Sequence, residues 1–384
     1  MSGKRAAVQC SISVRGWPTE AGSPALRGFV PLEDATAVER LRSAGAALVG
    51  NTHTSELGFG LFGDGASRAL KDGLADFVLV TDTMGEARVA AAGAGVFGFK
   101  PSYGRVSRFG LIGMVPSMDC CGILGSDLED IAAVFKAIEG GDDRDPSMDG
   151  CRMPTLQRDY GGADSTLSAG VITQCIDSLE AGERLAFRGA LGRIRKAGIT
   201  IREVPWKDFD LFQATHNLIG SVEASSSCGK FDGVRYGHCA SGSRNWNEMY
   251  LQSRAESFSL IMKSFLFQGA YFQFENYPAF ERACGIRARL VAESRELFSD
   301  LDLLIFPTRH AAIDISRADT VEQVYEPFSL TLPSNVTGQP ALTLPGFLPT
   351  GDGDIGLQLV GPHFGDELLF EAARRLSPRA EGAR

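Results

Sequence analysis

The chain has 384 residues, with 38 Lys or Arg against 47 Asp or Glu, and its formal net charge is −9. Hydrophobic residues make up 44% and charged residues 22%, which is typical of a globular protein that buries a sizeable core. This composition excludes a largely disordered chain, a collagen and a coiled coil, and the acidic balance argues against a general phosphate-binding surface. The sequence has no apolar run long enough to predict membrane insertion.

The apolar spacing predicts helices alternating with short buried strands. Amphipathic helices are predicted at 39–47 and 127–138, the second with Ser126 as its N-cap. Later helices are predicted at 180–196, within 213–298 and at 367–376, and strands at 75–81, 94–99, 171–172, 200–204 and 301–306. A close-packed helix is predicted between the first two of these strands. This alternation is typical of a layered α/β protein.

The cysteines, histidines and glycines of the sequence do not form a known metal-binding or cofactor-binding motif. The eight cysteines have no CxxC spacing, which predicts reduced thiols in a reducing compartment. The five histidines have no HExxH spacing, so no metal site is expected. A GxSxG nucleophile turn and a glycine-rich phosphate loop are also absent from the sequence, so no cofactor is expected.

The segment 81–119, TDTMGEARVAAAGAGVFGFKPSYGRVSRFGLIGMVPSMD, closely resembles the amidase signature family. Similar segments precede it at 41–60 and follow it at 306–308, 332–346 and 355–373. The resemblance implies the amidase-signature fold, an α/β fold in which a large mixed β-sheet is sandwiched between helices. It also implies a single degenerate domain over 1–384, with a helix-rich flanking region at about 205–295.

Members of this family hydrolyse amides with a serine nucleophile, a bridging serine and a lysine, and the matching positions differ here. Glu86 stands at the nucleophile position, Gln9 at the lysine position and, by ungapped counting, Ala66 at the bridging serine. The match around Gln9 also predicts a core strand over 6–14. Because glutamine cannot titrate, the resemblance implies a degenerate triad with no catalytic residue. Met84 replaces a glycine of the family motif.

Three hypotheses remain open for the pocket that corresponds to the family's active site. In the first, the chain is inactive, and Glu86 forms a structural ion pair with Arg88 or another base. In the second, the chain is an enzyme repurposed to acid/base chemistry that uses Glu86, Asp82 and His53. In the third, a residual hydrolase uses Ser67 or a thiol of the Cys120–Cys121 pair.

The segment 223–237, EASSSCGKFDGVRYG, is similar to the A subunits of glutamyl-tRNA(Gln) amidotransferases within the family. This likeness predicts a structural or interaction subunit of a larger, translation-linked or organellar assembly. Its partners would be other protein subunits, with RNA reached only through the assembly. The expected location is intracellular and reducing, in the mitochondrial matrix or the cytoplasm.

Overall fold

The computed structural model describes residues 1–61, 65–148, 166–311, 317–351 and 353–377. The strands are β1 (Arg5–Gln9), β2 (Ala47–Thr52), β3 (Phe77–Asp82), β4 (Phe97–Lys100), β5 (Cys120–Gly125), β6 (Ser168–Ile172), β7 (Thr200–Val204), β8 (Leu303–Pro307), β9 (Ala341–Leu344), β10 (Pro349–Thr350), β11 (Gly353–Asp354) and β12 (Leu357–Val360). The α-helices are α1 (Thr36–Ser43), α2 (Gly65–Lys71), α3 (Glu86–Ala94), α4 (Leu128–Ile138), α5 (Thr173–Asp177), α6 (Ala181–Lys196), α7 (Leu211–Ser227), α8 (Trp246–Ser257), α9 (Leu260–Phe274), α10 (Tyr277–Asp300), α11 (Val321–Tyr325), α12 (Leu332–Thr337) and α13 (Asp366–Leu376).

Ten of these strands form one mixed sheet, in the order β2-β1-β3-β5-β4-β9-β12-β8-β6-β7. The strands at the two ends pair in parallel, whereas the neighbouring strands from β3 across to β8 pair antiparallel. Strands β10 and β11 form a separate hairpin. The predicted α/β fold with a large mixed sheet is therefore confirmed.

Helices cover both faces of the sheet because side chains alternate along each strand. In β3, Phe77 and Leu79 join an apolar cluster that contains residues of α1 and α4. Val78 and Val80 point the other way, into a cluster that contains residues of α2 and α3. This second layer places the start of α3 beside the ends of β1 and β3, where the sequence predicts the site.

The region 205–295 contains helices α7 to α9 and most of α10. Phe212 of α7, Phe265 of α9 and Leu290 of α10 share an apolar cluster with Phe306 of β8. The flank is thus packed onto the sheet through a continuous core. Among the described residues, none of the helices combines the length and apolarity of a membrane span.

Two local predictions are wrong. Strand β1 ends at Gln9 rather than continuing to residue 14, because the N–H of Ile12 turns back to the carbonyl of Gln9 at 2.9 Å. Asp127, not Ser126, is the N-cap of α4, since its carboxylate accepts the N–H groups of Glu129 and Asp130. An aspartate at this position binds the first free amides of the helix as well as serine does.

Candidate functional site

The loop between β3 and α3 presents a row of backbone amides to a single carboxylate oxygen. Oε2 of Glu86 accepts the N–H of Thr83 at 2.7 Å, of Met84 at 2.8 Å and of Gly85 at 3.1 Å. We call these three N–H groups the amide nest. Successive amides that converge in this way form an anion-binding concavity, and here the first residue of α3 fills it.

The carbonyl side of the same loop is fixed by three residues from two other helices, α7 and α12 with its N-cap. The side-chain amide of Asn335 donates to the carbonyl of Asp82 at 3.2 Å, and Oγ1 of Thr331 donates to the carbonyl of Met84 at 2.6 Å. Between them, Nε2 of His216 lies 2.9 Å from the carbonyl oxygen of Thr83. Each of the three peptide units therefore has its C=O held from outside while its N–H points towards Glu86.

Gly85 lets the loop approach α12 closely. Its φ is 129°, a region that favours glycine, and a Cβ there would lie 2.1 Å from Oγ1 of Thr331. A larger residue would displace the threonine that holds the loop. The amide nest is thus positioned by contacts that the neighbouring elements supply.

The buried His216 is neutral. Burial lowers its pKa from the usual 6.5 to about 4. A neutral imidazole donates through one nitrogen and accepts through the other. Since the Thr83 carbonyl can only accept, Nε2 carries the proton, and Nδ1 accepts from the hydroxyl of Tyr325 at 3.0 Å.

Glu86 is held as a neutral acid over an unusually wide pH range. Its side chain is 5% exposed, and burial together with the nearby negative charge of Asp82 raises its pKa to about 8. The N–H bonds from the nest act in the opposite direction but are outweighed. Among the residues that the structure describes, none forms a hydrogen bond with Oε1 of Glu86.

A small cavity lies beside this carboxyl group, and the three degenerate triad positions meet there. Gln9, Ala66 and Glu86 all line it, together with His53. Its volume is about 20 Å³, roughly enough for one water molecule. Positions that are far apart in the sequence therefore converge as the family resemblance predicts, although no hydrogen bond joins His53 to Glu86.

A model of the amidase family matches residues 6–67 and 63–370. The chain belongs to the amidase signature family. It is 34% identical to the glutamyl-tRNA(Gln) amidotransferase A subunit of Natronomonas pharaonis, covering 98% of this chain and 96% of the relative. It is also 34% identical to the corresponding protein of Thermus thermophilus, covering 97% and 84%. The crystal structure of the corresponding protein of Thermotoga maritima has the same fold, with a TM-score of 0.80, 24% identity and coverage of 100% and 84%.

At the lysine position of this family, Gln9 has its hydrogen-bonding groups engaged within the protein. Its Nε2 donates to Oγ1 of Thr54 at 2.8 Å. Its Oε1 accepts the backbone N–H of Thr81 at 2.8 Å, the Thr81 hydroxyl at 2.9 Å and the Ser11 hydroxyl at 2.8 Å. Gln9 thus joins β1 to β3 but supplies no group that can take up a proton.

The alternative nucleophiles lie apart from the cavity of the amidase site. The hydroxyl of Ser67 donates to the carbonyl of Ala90 at 3.2 Å, and Ala66 rather than Ser67 lines the cavity. Burial raises the thiol pKa of Cys120, and raises that of Cys121 to about 12. Both thiols are therefore protonated at neutral pH, which makes them poor nucleophiles.

Asp82 is not at the cavity but behind the loop, in a fully buried ion pair with Arg88 at 2.9 Å. Arg88 also donates to the carbonyl of Thr331 and to the side chain of Ser334, which connects α3 to α12. The predicted ion pair between Glu86 and Arg88 is wrong, since Arg88 binds Asp82. Residues two apart on a helix point in different directions.

Sequence reasoning missed the residues that hold the carbonyls of the loop. Thr331 and Asn335 lie in or beside the family motif at 332–346, which was a usable signal. His216 lies alone on α7, and nothing in its local sequence marks it. Among the described residues, no cluster of three or more His, Cys, Asp or Glu side chains is placed to hold a metal ion.

Proposed function

We propose that this chain is a non-hydrolysing member of the amidase signature family, a single degenerate domain that acts as a structural or interaction subunit of a larger protein assembly. One observation carries the proposal: Oε2 of Glu86 occupies the three N–H groups of the amide nest. A carboxyl group at the nucleophile position fills the donors that an amidase needs for the charge of its reaction intermediate.

The rest of the site supports this proposal. Amide hydrolysis by a covalent route needs an activated nucleophile, a proton acceptor and free oxyanion donors. Glu86 blocks the donors, Gln9 cannot act as a base, and Ala66 has no hydroxyl. All three residues line one cavity, so the three triad positions are correctly matched and each holds a residue that cannot perform the family's chemistry.

The assembly role is supported by the relatives. Two of them are named as A subunits of an amidotransferase, and the chain aligns with 96% and 84% of their lengths. Proteins of this kind work beside other subunits. This chain keeps their fold but lacks the catalytic residues, which favours a role in binding other subunits. Any RNA would be reached through the assembly, and the compartment would be the cytoplasm or the mitochondrial matrix.

A second candidate function is acid/base chemistry by Glu86. Two features favour this candidate: its pKa of about 8, and the position of its Oε1, which has no hydrogen-bond partner among the described residues. The volume of about 20 Å³ opposes it, because a substrate larger than water would have to open the cavity. Residual hydrolysis by Ser67 or the Cys120–Cys121 pair has less support, since none of these side chains lines the cavity.

The proposal is tested by native purification from the source organism, followed by sizing and mass spectrometry. We expect a defined assembly that contains other proteins at fixed stoichiometry. Glu86→Gln should leave this assembly intact, since the amide oxygen can also accept from the nest. A chain recovered without any other protein, with turnover that Glu86→Gln abolishes, would overturn the proposal in favour of the acid/base enzyme.

A further inference from the structure

Helix α9 carries an apolar stripe on its solvent side. Leu260, Phe267, Tyr271 and Phe274 are 75%, 73%, 53% and 75% exposed, respectively. Ser264 is exposed on the same side, and its hydroxyl donates to the carbonyl of Leu260 at 2.9 Å. We call these five residues the α9 stripe. The opposite side of the helix, which includes Phe265 and Leu266, is buried in the core.

The spacing of the α9 stripe indicates what covers it. From Leu260 to Phe274 the steps are four, three, four and three residues. This 3.5-residue period is that of the seam between two packed helices, in which side chains of one helix fit between those of the other. The helix is 15 residues long, enough for two heptads. The stripe therefore fits a helix as its partner.

We propose that the partner is a second copy of this chain, with the two α9 stripes packed antiparallel about a twofold axis near Gly269. This inference does not depend on the proposed function. In this register Phe267 faces Tyr271 of the second copy, which places an aromatic pair on each side of the axis. Ser264 faces Phe274 of the second copy, so that a small residue lies opposite a large one.

The polar groups of the stripe are compatible with this burial. The Ser264 hydroxyl already has an acceptor within its own helix, so covering it leaves no unsatisfied donor. Lys263 is the only charged residue of α9. It lies six positions before the centre of the pairing, which separates the two copies of Lys263 by about 18 Å along the helix axis. A parallel pair would place the two lysines at the same height.

The paired aromatic residues supply the area of this interface. An aromatic side chain covers about 150–250 Å², so the exposed fractions of Phe267, Tyr271 and Phe274 sum to roughly 400 Å² in each copy. Leu260 is left out of this sum, because it lies opposite position 278, beyond the end of the partner's α9. Two copies contribute about 800 Å², which is at the low end for a specific interface and predicts a weak dimer. Twofold symmetry doubles the area without a second type of surface.

Light scattering coupled to size exclusion tests the inference on the purified full-length chain at tens of micromolar. We expect twice the mass of one chain, and Phe267→Glu should weaken dimerisation by about tenfold or more. Leu185→Glu is the matched control, because Leu185 is equally exposed on α6 but lies outside the stripe. Circular dichroism would verify that each variant is folded.

A charge-pair test then distinguishes a second copy from another partner. Ser264→Lys and Phe274→Glu should each weaken the dimer, and the double variant should recover it, because the antiparallel register places the two positions opposite each other. A monomeric wild-type chain would overturn the inference. So would a dimer that Phe267→Glu leaves unchanged, or a double variant that recovers nothing. The native assembly is measured separately, so failure here is distinct from failure of the proposed function.

Discussion

The imidazole of His216 and the backbone carbonyl of Thr83 are joined by a 2.9 Å hydrogen bond across the interface between α7 and the β3–α3 loop. This bond fixes the peptide unit that also contains the N–H of Met84, one of the donors to Glu86. The geometry of the amide nest therefore depends on the helical flank as well as on the sheet.

Replacement of Glu86 by glutamine should change how stability depends on pH. The folded protein raises the pKa of Glu86 from 4.5 to about 8, so the folded state holds a proton that the unfolded state releases between these values. The stability that this proton provides is complete below pH 4.5 and is lost as the pH rises to 8, by about 1.4 kcal/mol per pH unit. Urea unfolding of wild type and Glu86→Gln across this range should show the variant gaining relative stability as the pH rises.

Glu281→Gln, on the exposed surface of α10, is the control for this experiment. A constant difference between wild type and Glu86→Gln from pH 4.5 to 8 would contradict the assignment of a neutral acid to Glu86.

Removal of the Glu86 side chain should open the amide nest to the oxygen of a small neutral amide, because burial and Asp82 disfavour a negative charge there. In Glu86→Ala the N–H groups of Thr83, Met84 and Gly85 lose their acceptor, while Asn335, His216 and Thr331 still orient the loop. Acetamide should then raise the melting temperature of the variant in a saturable manner. Wild type, whose nest is filled, should show only the general effect of the added solute. Equal responses of the two proteins would show that the nest does not persist in the variant.

Loss of His216 should destabilise the fold. His216→Phe keeps the ring but leaves the Thr83 carbonyl and the Tyr325 hydroxyl buried without their partner, at a cost of about 2–4 kcal/mol. Because the pKa of His216 is lowered to about 4, its stabilising effect is present above pH 6.5 and is lost as the pH falls towards 4. The difference between wild type and variant in urea should shrink over that range.

The matched control is His238→Phe, since His238 is partly exposed and pairs with Glu256. It should cost less than about 1 kcal/mol. An equal effect of the two substitutions would remove the special role assigned to His216.

Breaking the buried ion pair between Arg88 and Asp82 should lower the stability of the fold more than breaking an exposed ion pair. Arg88→Met would leave Asp82 charged and buried, which typically costs about 3–5 kcal/mol. Arg68→Met, which breaks an exposed pair between Arg68 of α2 and Asp72 just after that helix, should cost about 0–1 kcal/mol. Denaturant midpoints of the two variants provide the measurement. A loss at Arg88 no greater than that at Arg68 would mean that Asp82 is satisfied without its partner.

The family resemblance of the segment 81–119 predicted the large mixed sheet. The same resemblance matched Gln9, Ala66 and Glu86 to three positions of one site, and the structure places all three around one cavity. The partners of these residues were less predictable. A carboxylate that turns back onto its own loop depends on a side-chain rotamer, and the support from His216 depends on contacts between residues 133 positions apart. The end of β1 was missed because a turn stops it, not a change in apolar pattern.

The most direct test of the account is to measure amide hydrolysis by the purified wild-type chain. Ammonia release from glutamine, asparagine and simple primary amides would be measured together with intact mass after treatment with a fluorophosphonate and, separately, a thiol-directed acylating agent. Because Glu86 fills the amide nest, we expect no rate above that of buffer and no adduct at Ser67, Cys120 or Cys121. Turnover that survives repurification, or an adduct at one of these residues that abolishes turnover, would contradict the assignment of a non-hydrolysing protein.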